Sequence, residues 1–146
     1  MVSLAAPAAA TPDTAEDIGS YREATYTSSP GVNEALLPLH CGVSVRIEGN
    51  RYTISGGGYT RCDGNVARIQ HNVKIQRSRW YGWETVAKKS DEKWNNSAHS
   101  SWLDYDCAGT GIHDYRVVVT GVATPYGESP RTARAYDQID EYNCGG

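Results

Sequence analysis

An all-β fold, a small antiparallel sandwich of about seven or eight strands, is what this sequence predicts, and three observations predict it. From His40 onward, short runs alternate apolar and polar residues, with Gly-, Pro- and Asn-containing turns between them at spacings of about 8 to 12 residues. No stretch shows the sustained 3.6-residue apolar period of a long helix. Four cysteines, Cys41, Cys62, Cys107 and Cys144, form an even set suited to two disulfides.

A chain of 146 residues fits one core. Met1 to Ala10 is Ala-rich and ends in an A-x-A pattern at Ala8 to Ala10, which reads as the remnant of a signal peptide and predicts secretion. Residues 11 to 38 hold Pro12, Pro30 and Pro38 and the acidic Asp13, Glu16 and Asp17, with Ile18, Tyr21, Tyr26 and Val32 as the apolar points before Leu36. Too little there is apolar to order the segment alone, so it predicts an extended arm, mobile from Thr11 to about Ser29. Those four apolar residues are the candidate partner contacts. Residues 39 to 146 form the stapled domain.

Within that domain Cys41, Val43, Val45 and Ile47 share one parity, a half-buried strand, and Gly49-Asn50 turns into a second at 51 to 55. Gly56-Gly57-Gly58 and Asp63-Gly64-Asn65 read as breaks. The cleanest alternation runs from Val66 to about Arg77, with Ala67, Ile69, His71, Val73 and Ile75 inward. Arg77 and Arg79 then fall on the inward parity, so the strand ends or bulges there. Tyr81 to Lys88 is its hairpin partner through the Trp80 to Gly82 region, and Lys89 to Ser101 reads as a long loop or short edge strand. Tyr115 to Ala123 has the highest β propensity and predicts a central strand; Arg131 to Tyr136 predicts the last. This pattern, with a tryptophan on an inner strand, points to an immunoglobulin-like sandwich.

Four cysteines allow three pairings. The local one joins Cys41 to Cys62 and Cys107 to Cys144, and loops of that length each stabilise by about 3 to 4 kcal/mol in the chain-entropy model. A zinc site is not expected, because no two cysteines have short C-x-x-C-type spacing and His40, His71, His99 and His113 are scattered. No metal or cofactor is expected.

Fourteen basic against 17 acidic residues, net −3, give no concentrated basic face, so neither nucleic acid nor an anionic membrane is the expected partner. No run reaches the roughly 18 apolar residues of a membrane span, so insertion is not expected either. No catalytic residue is assigned. His71 on an apolar strand face reads as a core histidine, the sequence has no G-x-S-x-G elbow, and the glycine triplet lacks the lysine of a phosphate loop. Asp104 and Asp106 share a strand face about 7 Å apart, a spacing a glycosidase pair could use but also common for surface acids.

Aromatics carry the stronger signal, with ten Tyr and four Trp but no Phe. Trp80, Tyr81, Trp94 and Trp102 form a candidate recognition patch, with Arg77 and Arg79 beside the first two, while Trp83 reads as core. Asn95-Asn96-Ser97 is a formal glycosylation acceptor.

The stretches Asn72 to Trp83 and Trp102 to Gly121, the latter with its Tyr-Arg-Val-Val-Val-Thr strand, together with the Ala-rich start, resemble small exported two-disulfide β-sandwich proteins of Streptomyces and other actinobacteria. These stretches cover under half of the chain. Within that group the chain is most similar to the adaptor subunits of umbrella toxin particles, where a β-domain joins a lectin-bearing subunit to the ring of a large toxin polypeptide. The resemblance implies a non-catalytic adaptor in antagonism between bacteria, with the arm from Thr11 to Pro38 docking into the lectin-bearing partner. The expected partners are thus other secreted proteins, bound through the arm and an open sheet edge. A carbohydrate-binding module using exposed tryptophans, or a secreted hydrolase or protease inhibitor, are the alternatives.

Overall fold

The structure, a computed structural model, describes residues 18–28 and 39–145. Eight strands account for nearly all of it: β1 (Ser20–Tyr21), β2 (Glu23–Thr25), β3 (Thr27–Ser28), β4 (Cys41–Asn50), β5 (Thr53–Arg79), β6 (Gly82–Asp106), β7 (Ile112–Thr124) and β8 (Arg131–Asn143). The fold is all-β with both local disulfides, Cys41–Cys62 and Cys107–Cys144. All eight strands belong to one sheet that nearly closes into a barrel, where the sequence suggested two stacked sheets.

The cause is the length of β5. Its 27 residues pair with β6 from Thr53 at one end to Arg79 at the turn. Because β6 holds one edge throughout, the other edge is shared: β4 takes it from Thr53 to Cys62, and β7 from Arg68 to Arg77. β7 pairs onward with β8. Between the two halves of β5 the register with β6 shifts, between Arg61 and Val66, where Asp63-Gly64-Asn65 lies. The triplet with turn composition is therefore an irregularity within a continuing strand. Inward parity is kept across it, from Ile54, Thr60 and Cys62 to Val66, and reverses just beyond, between Val66 and Ile69, to Ile69, His71, Val73 and Ile75, all buried.

Gly56-Gly57-Gly58 is not a break but the middle of a strand. Cβ atoms built on Gly56 and Gly58 would lie 2.9 and 3.0 Å from Val117 and Val119 of β7, and one on Gly57 would collide with the Ser101 carbonyl oxygen. The glycines are there because other chains pass close, a use of glycine that local turn rules do not detect. Lys89 to Ser101 is likewise strand, since the backbone ladder with β5 continues through it despite its polar side chains. The hairpin turn at 80–81, the strand end at Arg79 and the central position of β7 match expectation, while a bulge that inserts Val86 of β6 at the Ile75–Gln76 step is unexpected.

The arm differs most. Residues 18–28 fill the gap between β4 and β8: β1 runs parallel to β8, Arg22 at φ 66° reverses the chain, β2 pairs antiparallel with β4, and β3 returns antiparallel to β8. The buried Asp137 carboxylate of β8 locks this closure, accepting from Arg22 Nε at 2.8 Å and from the Ile47 amide of β4 at 2.9 Å. Ile18 and Tyr26 are buried in this chain's own core, and the Tyr21 ring packs tilted against Tyr136 with centroids 5.5 Å apart. The segment orders because it borrows apolar surface from two neighbouring strands, which a residue count taken along the segment alone misses. Val32 and residues 1 to 17 lie outside the described residues. Among the described residues, no helix is long and apolar enough to cross a membrane.

If residues 18–28 complete the sheet, Tyr26→Ala lowers stability by about 3 to 5 kcal/mol, the usual cost of truncating a buried aromatic. Tyr21→Ala, at a site 54% exposed, shifts it by less than about 1 kcal/mol. Urea unfolding of the two variants checks this; equal small effects would restore the free arm.

Candidate functional site

The interior of the barrel carries a polar chain where an apolar core is expected. His71 of β5 is opposite Asp91 of β6 on one side and Gly121 of β7 on the other. The bare Gly121 leaves room for the Tyr26 ring, whose hydroxyl would meet any Cβ placed there. Thr60 and His99 form another cross-strand pair, as do Gly58 and Ser101. Pairs opposite one another share a face, and the irregularity in β5 folds the hairpin so that Asp91 meets His99 and Ser101.

Hydrogen bonds fix the order of the chain. Tyr26 Oη and Thr60 Oγ1 are 2.6 Å apart, Thr60 Oγ1 and His71 Nε2 2.7 Å, and His71 Nδ1 and Ser101 Oγ 2.7 Å. Ser101 donates to Asp91 Oδ1 at 2.5 Å, and His99 Nε2 donates to the same oxygen at 2.8 Å. Since the Ser101 proton goes to the carboxylate, Ser101 accepts from His71 Nδ1–H. Neutral His71 then accepts at Nε2 from Thr60, which accepts from Tyr26. Every donor has an acceptor.

The electrostatics agree with that assignment. Burial, with the His99 charge beside it, pushes His71 down to about 4 against a smaller pull from Asp91. Burial also pushes the Asp91 carboxyl up, but hydrogen bonds from Ser101 and His99, with the charges of His99 and Lys89, outweigh it and hold it below the usual value. Burial drives the Tyr26 phenol up to about 12. A neutral imidazole therefore sits between two hydroxyls, with an ionised carboxylate at the solvent end.

As held, this is no acyl-transfer triad. A nucleophilic serine gives its proton to histidine, whereas Ser101 gives its proton to Asp91 and receives one from His71. Asp91 and Ser101 also face the same nitrogen of His99, at 2.8 and 3.3 Å. Asp104 and Asp106 work separately, one accepting from Ser55 Oγ at 2.5 Å and the other from the Ala108 amide at 3.0 Å.

The aromatic residues do not converge on one patch. Trp80, 92% exposed, stands at the hairpin tip with Tyr81 edge-on at 5.2 Å. Trp94 lies in mid-strand, with the Arg68 guanidinium 4.8 Å over its ring and its Nε1 donating to Glu92. Trp102 lies further along β6, opposite Gly57, and both neighbouring rows are set by register: Arg46–Gly57–Trp102 and Ser44–Tyr59–Ser100. Tyr59 and Trp102 thus flank a shallow groove of about 350 Å³ with Gly57 in its lining. Trp83 is half-buried under Arg116, 4.2 Å from its guanidinium carbon.

Sequence reasoning places His71 inward but misses Thr60, Asp91, His99, Ser101 and Tyr59. A usable signal exists. Counting back from the turn, where Arg79 pairs with Gly82, puts Asp91 within one residue of opposite His71, but the polar composition of Lys89 to Ser101 hides the strand that carries it.

In the pH window between about 4 and 6.5, the unfolded chain binds a proton at this imidazole that the folded chain does not. Stability therefore falls as pH drops through that window, by about 3 kcal/mol for a shift of this size. Asp91, with a depressed value, adds its loss only below that range. In metal-free buffer, His71→Gln should flatten the slope of unfolding free energy between pH 6.5 and 4; an unchanged slope would assign it to other groups.

No protein-family model matches this chain, and no curated protein is detectably similar to it, so its chemistry is read from its own geometry.

Proposed function

We propose that the protein is a secreted, non-catalytic adaptor that holds an extended segment of a partner protein along the open edge of β6. This is the kind of role the resemblance to adaptor subunits of umbrella toxin particles implies, with a lectin-bearing subunit and a large toxin polypeptide as the corresponding partners. The observation that carries the reading is the edge itself: among the described residues, β6 pairs with β5 alone along its 25 residues. An unpaired edge of that length is a template for another strand unless it is guarded.

Charge is spread unevenly along this edge. Lys88, Lys89, Asp91, Glu92 and Lys93 put charge on the first half, whereas residues 95–101, between Trp94 and Trp102, contain no Lys, Arg, Asp or Glu. The two flanking rings are 56% and 45% exposed. Two disulfides are consistent with an oxidising, extracellular setting. Residues 18–28, by contrast, could dock elsewhere only by withdrawing Ile18 and Tyr26 from the core.

A specific observation favours a second reading. Tyr59 and Trp102 beside the glycine floor, with Arg46 on the same row, resemble the stacking platform of a carbohydrate-binding face.

Edge docking and sugar stacking respond to different variants. The Trp102 carbonyl accepts from Lys89 Nζ at 3.3 Å while the Ser101 carbonyl faces Gly57 of β5. By the two-residue period, the Ser100 N–H points outward with Trp102. Ser100→Pro removes that donor without touching the β5 ladder. Tagged protein in the producer's culture supernatant should retain a partner protein, identified by mass spectrometry, and Ser100→Pro should weaken retention about tenfold or more while moving Tm by less than about 5 °C. Undiminished capture by Ser100→Pro would sink edge docking. Glycan binding lost in Trp102→Ala, with no protein captured, would replace it with the carbohydrate reading.

A further inference from the structure

The solvent end of the polar chain has a geometry that an ordinary core network does not require. We propose that His71, Asp91 and His99, with the Ser101 hydroxyl, form a binding site for one divalent transition-metal ion of the zinc type.

The donor atoms of His71, Asp91 and His99 all lie within 4.8 Å of one another. Ser101 Oγ stands among them, 2.7 Å from His71 Nδ1, 2.5 Å from Asp91 Oδ1 and 3.3 Å from His99 Nε2. A single atom therefore already occupies the point on which two imidazole nitrogens and a carboxylate oxygen converge. Zinc bonds to such donors at about 2.0 to 2.2 Å, so the three side chains need to close in by about 0.4 to 1.2 Å, His99 the furthest, once the hydroxyl rotates aside. Rotated, Ser101 Oγ or a water can take the fourth position. Two imidazoles and one carboxylate suit zinc and neighbouring first-row ions better than calcium or magnesium, which prefer oxygen alone.

Supports for the ligands are present as well. A ligating histidine is held by a hydrogen bond at its other ring nitrogen, and His71 Nε2 has Thr60, itself bonded to Tyr26. Coordination through Nδ1 moves the imidazole proton to Nε2, where the Thr60 hydroxyl oxygen, 2.7 Å away, can accept it. Ligands on paired strands keep their spacing: His71 is opposite Asp91, and His99 opposite Thr60. The site is reached from its carboxylate end, where the Asp91 side chain is 28% exposed while that of His99 is 9% exposed. An opposing charge, Lys89 Nζ, lies 3.7 Å from Asp91 Oδ2 on a side chain 46% exposed, and swinging it outward gives up that ion pair and its bond to the Trp102 carbonyl. This inference is independent of how partners dock.

The test uses full-length protein stripped with chelator and dialysed. Calorimetric titration with zinc chloride should give one site per chain with a dissociation constant of about 1 μM or tighter. Cobalt(II) should give the intense visible absorption of tetrahedral coordination, displaced by zinc. Asp91→Asn and His99→Ala, at the less buried end and thus tolerable to the fold, should each weaken binding about a hundredfold or more. His113→Ala, whose ring bonds the Thr110 carbonyl, should change nothing. Absence of saturable binding, or binding that survives both Asp91→Asn and His99→Ala in folded protein, would overturn the site. The chain would then be a hydrogen-bond network only.

Discussion

β5 has two hydrogen-bonding edges, and β6 occupies one of them from end to end, a constraint that dictates most of the architecture. The other edge has to serve β4 up to Cys62 and β7 from Arg68 onward. A strand that changes neighbours partway cannot belong to a flat sheet, so the sheet curls, and β4 and β8 end up facing each other across a gap. Glycines 56 to 58 permit the curl, because Val117 and Val119 pack directly onto the outer two and the Ser101 carbonyl approaches the middle one. Residues 18–28 fill the gap. The Asp137 carboxylate then bonds one group from the closing segment and one from β4, joining three pieces of chain at a single buried charge.

Elements whose fold is decided by their own side chains are legible in the sequence. The first half of β4 buries every second residue and the strand around Val73 does the same, so alternation finds them and places His71 inward, while β7, buried throughout Tyr115 to Val119, is found by its β propensity. The hairpin turn near Trp80 and the local disulfide pairing are also readable, because chain-local geometry sets both. Where a neighbour decides, the sequence is silent or misleading. The glycine triplet has turn composition but strand conformation, since its lack of side chains serves another strand. Residues 89 to 101 have loop composition, yet the β5 backbone pairs them regardless of polarity. The arm holds too few apolar residues to fold by itself because its burial comes from β4 and β8.

The candidate site follows the same division. His71 is visible, but its partners lie on a segment with loop composition, and Thr60 shares its face only because the parity of β5 reverses between Val66 and Ile69. Trp80, Trp94 and Trp102 are exposed as expected, but exposure does not make a patch. The ladder spreads them along one hairpin, and the residue that joins Trp102 across a groove, Tyr59, is set by a register no composition reveals.

The polar chain also joins closure to the site. Tyr26 belongs to the closing segment, while Asp91 and His99 belong to the outer hairpin, and only Thr60, His71 and Ser101 stand between them. Each hydroxyl has one proton to give, so its direction at one end fixes the direction at the next. Withdrawing residues 18–28 would leave Thr60 without its donor and open apolar surface beneath Gly121, at a cost of about 1 kcal/mol for the hydrogen bond alone and several more for the buried ring. The segment that closes the barrel is thus held by the same groups that orient His71. A partner that docks on the edge of β6 leaves this arrangement intact, whereas one that captures the closing segment has to unmake it.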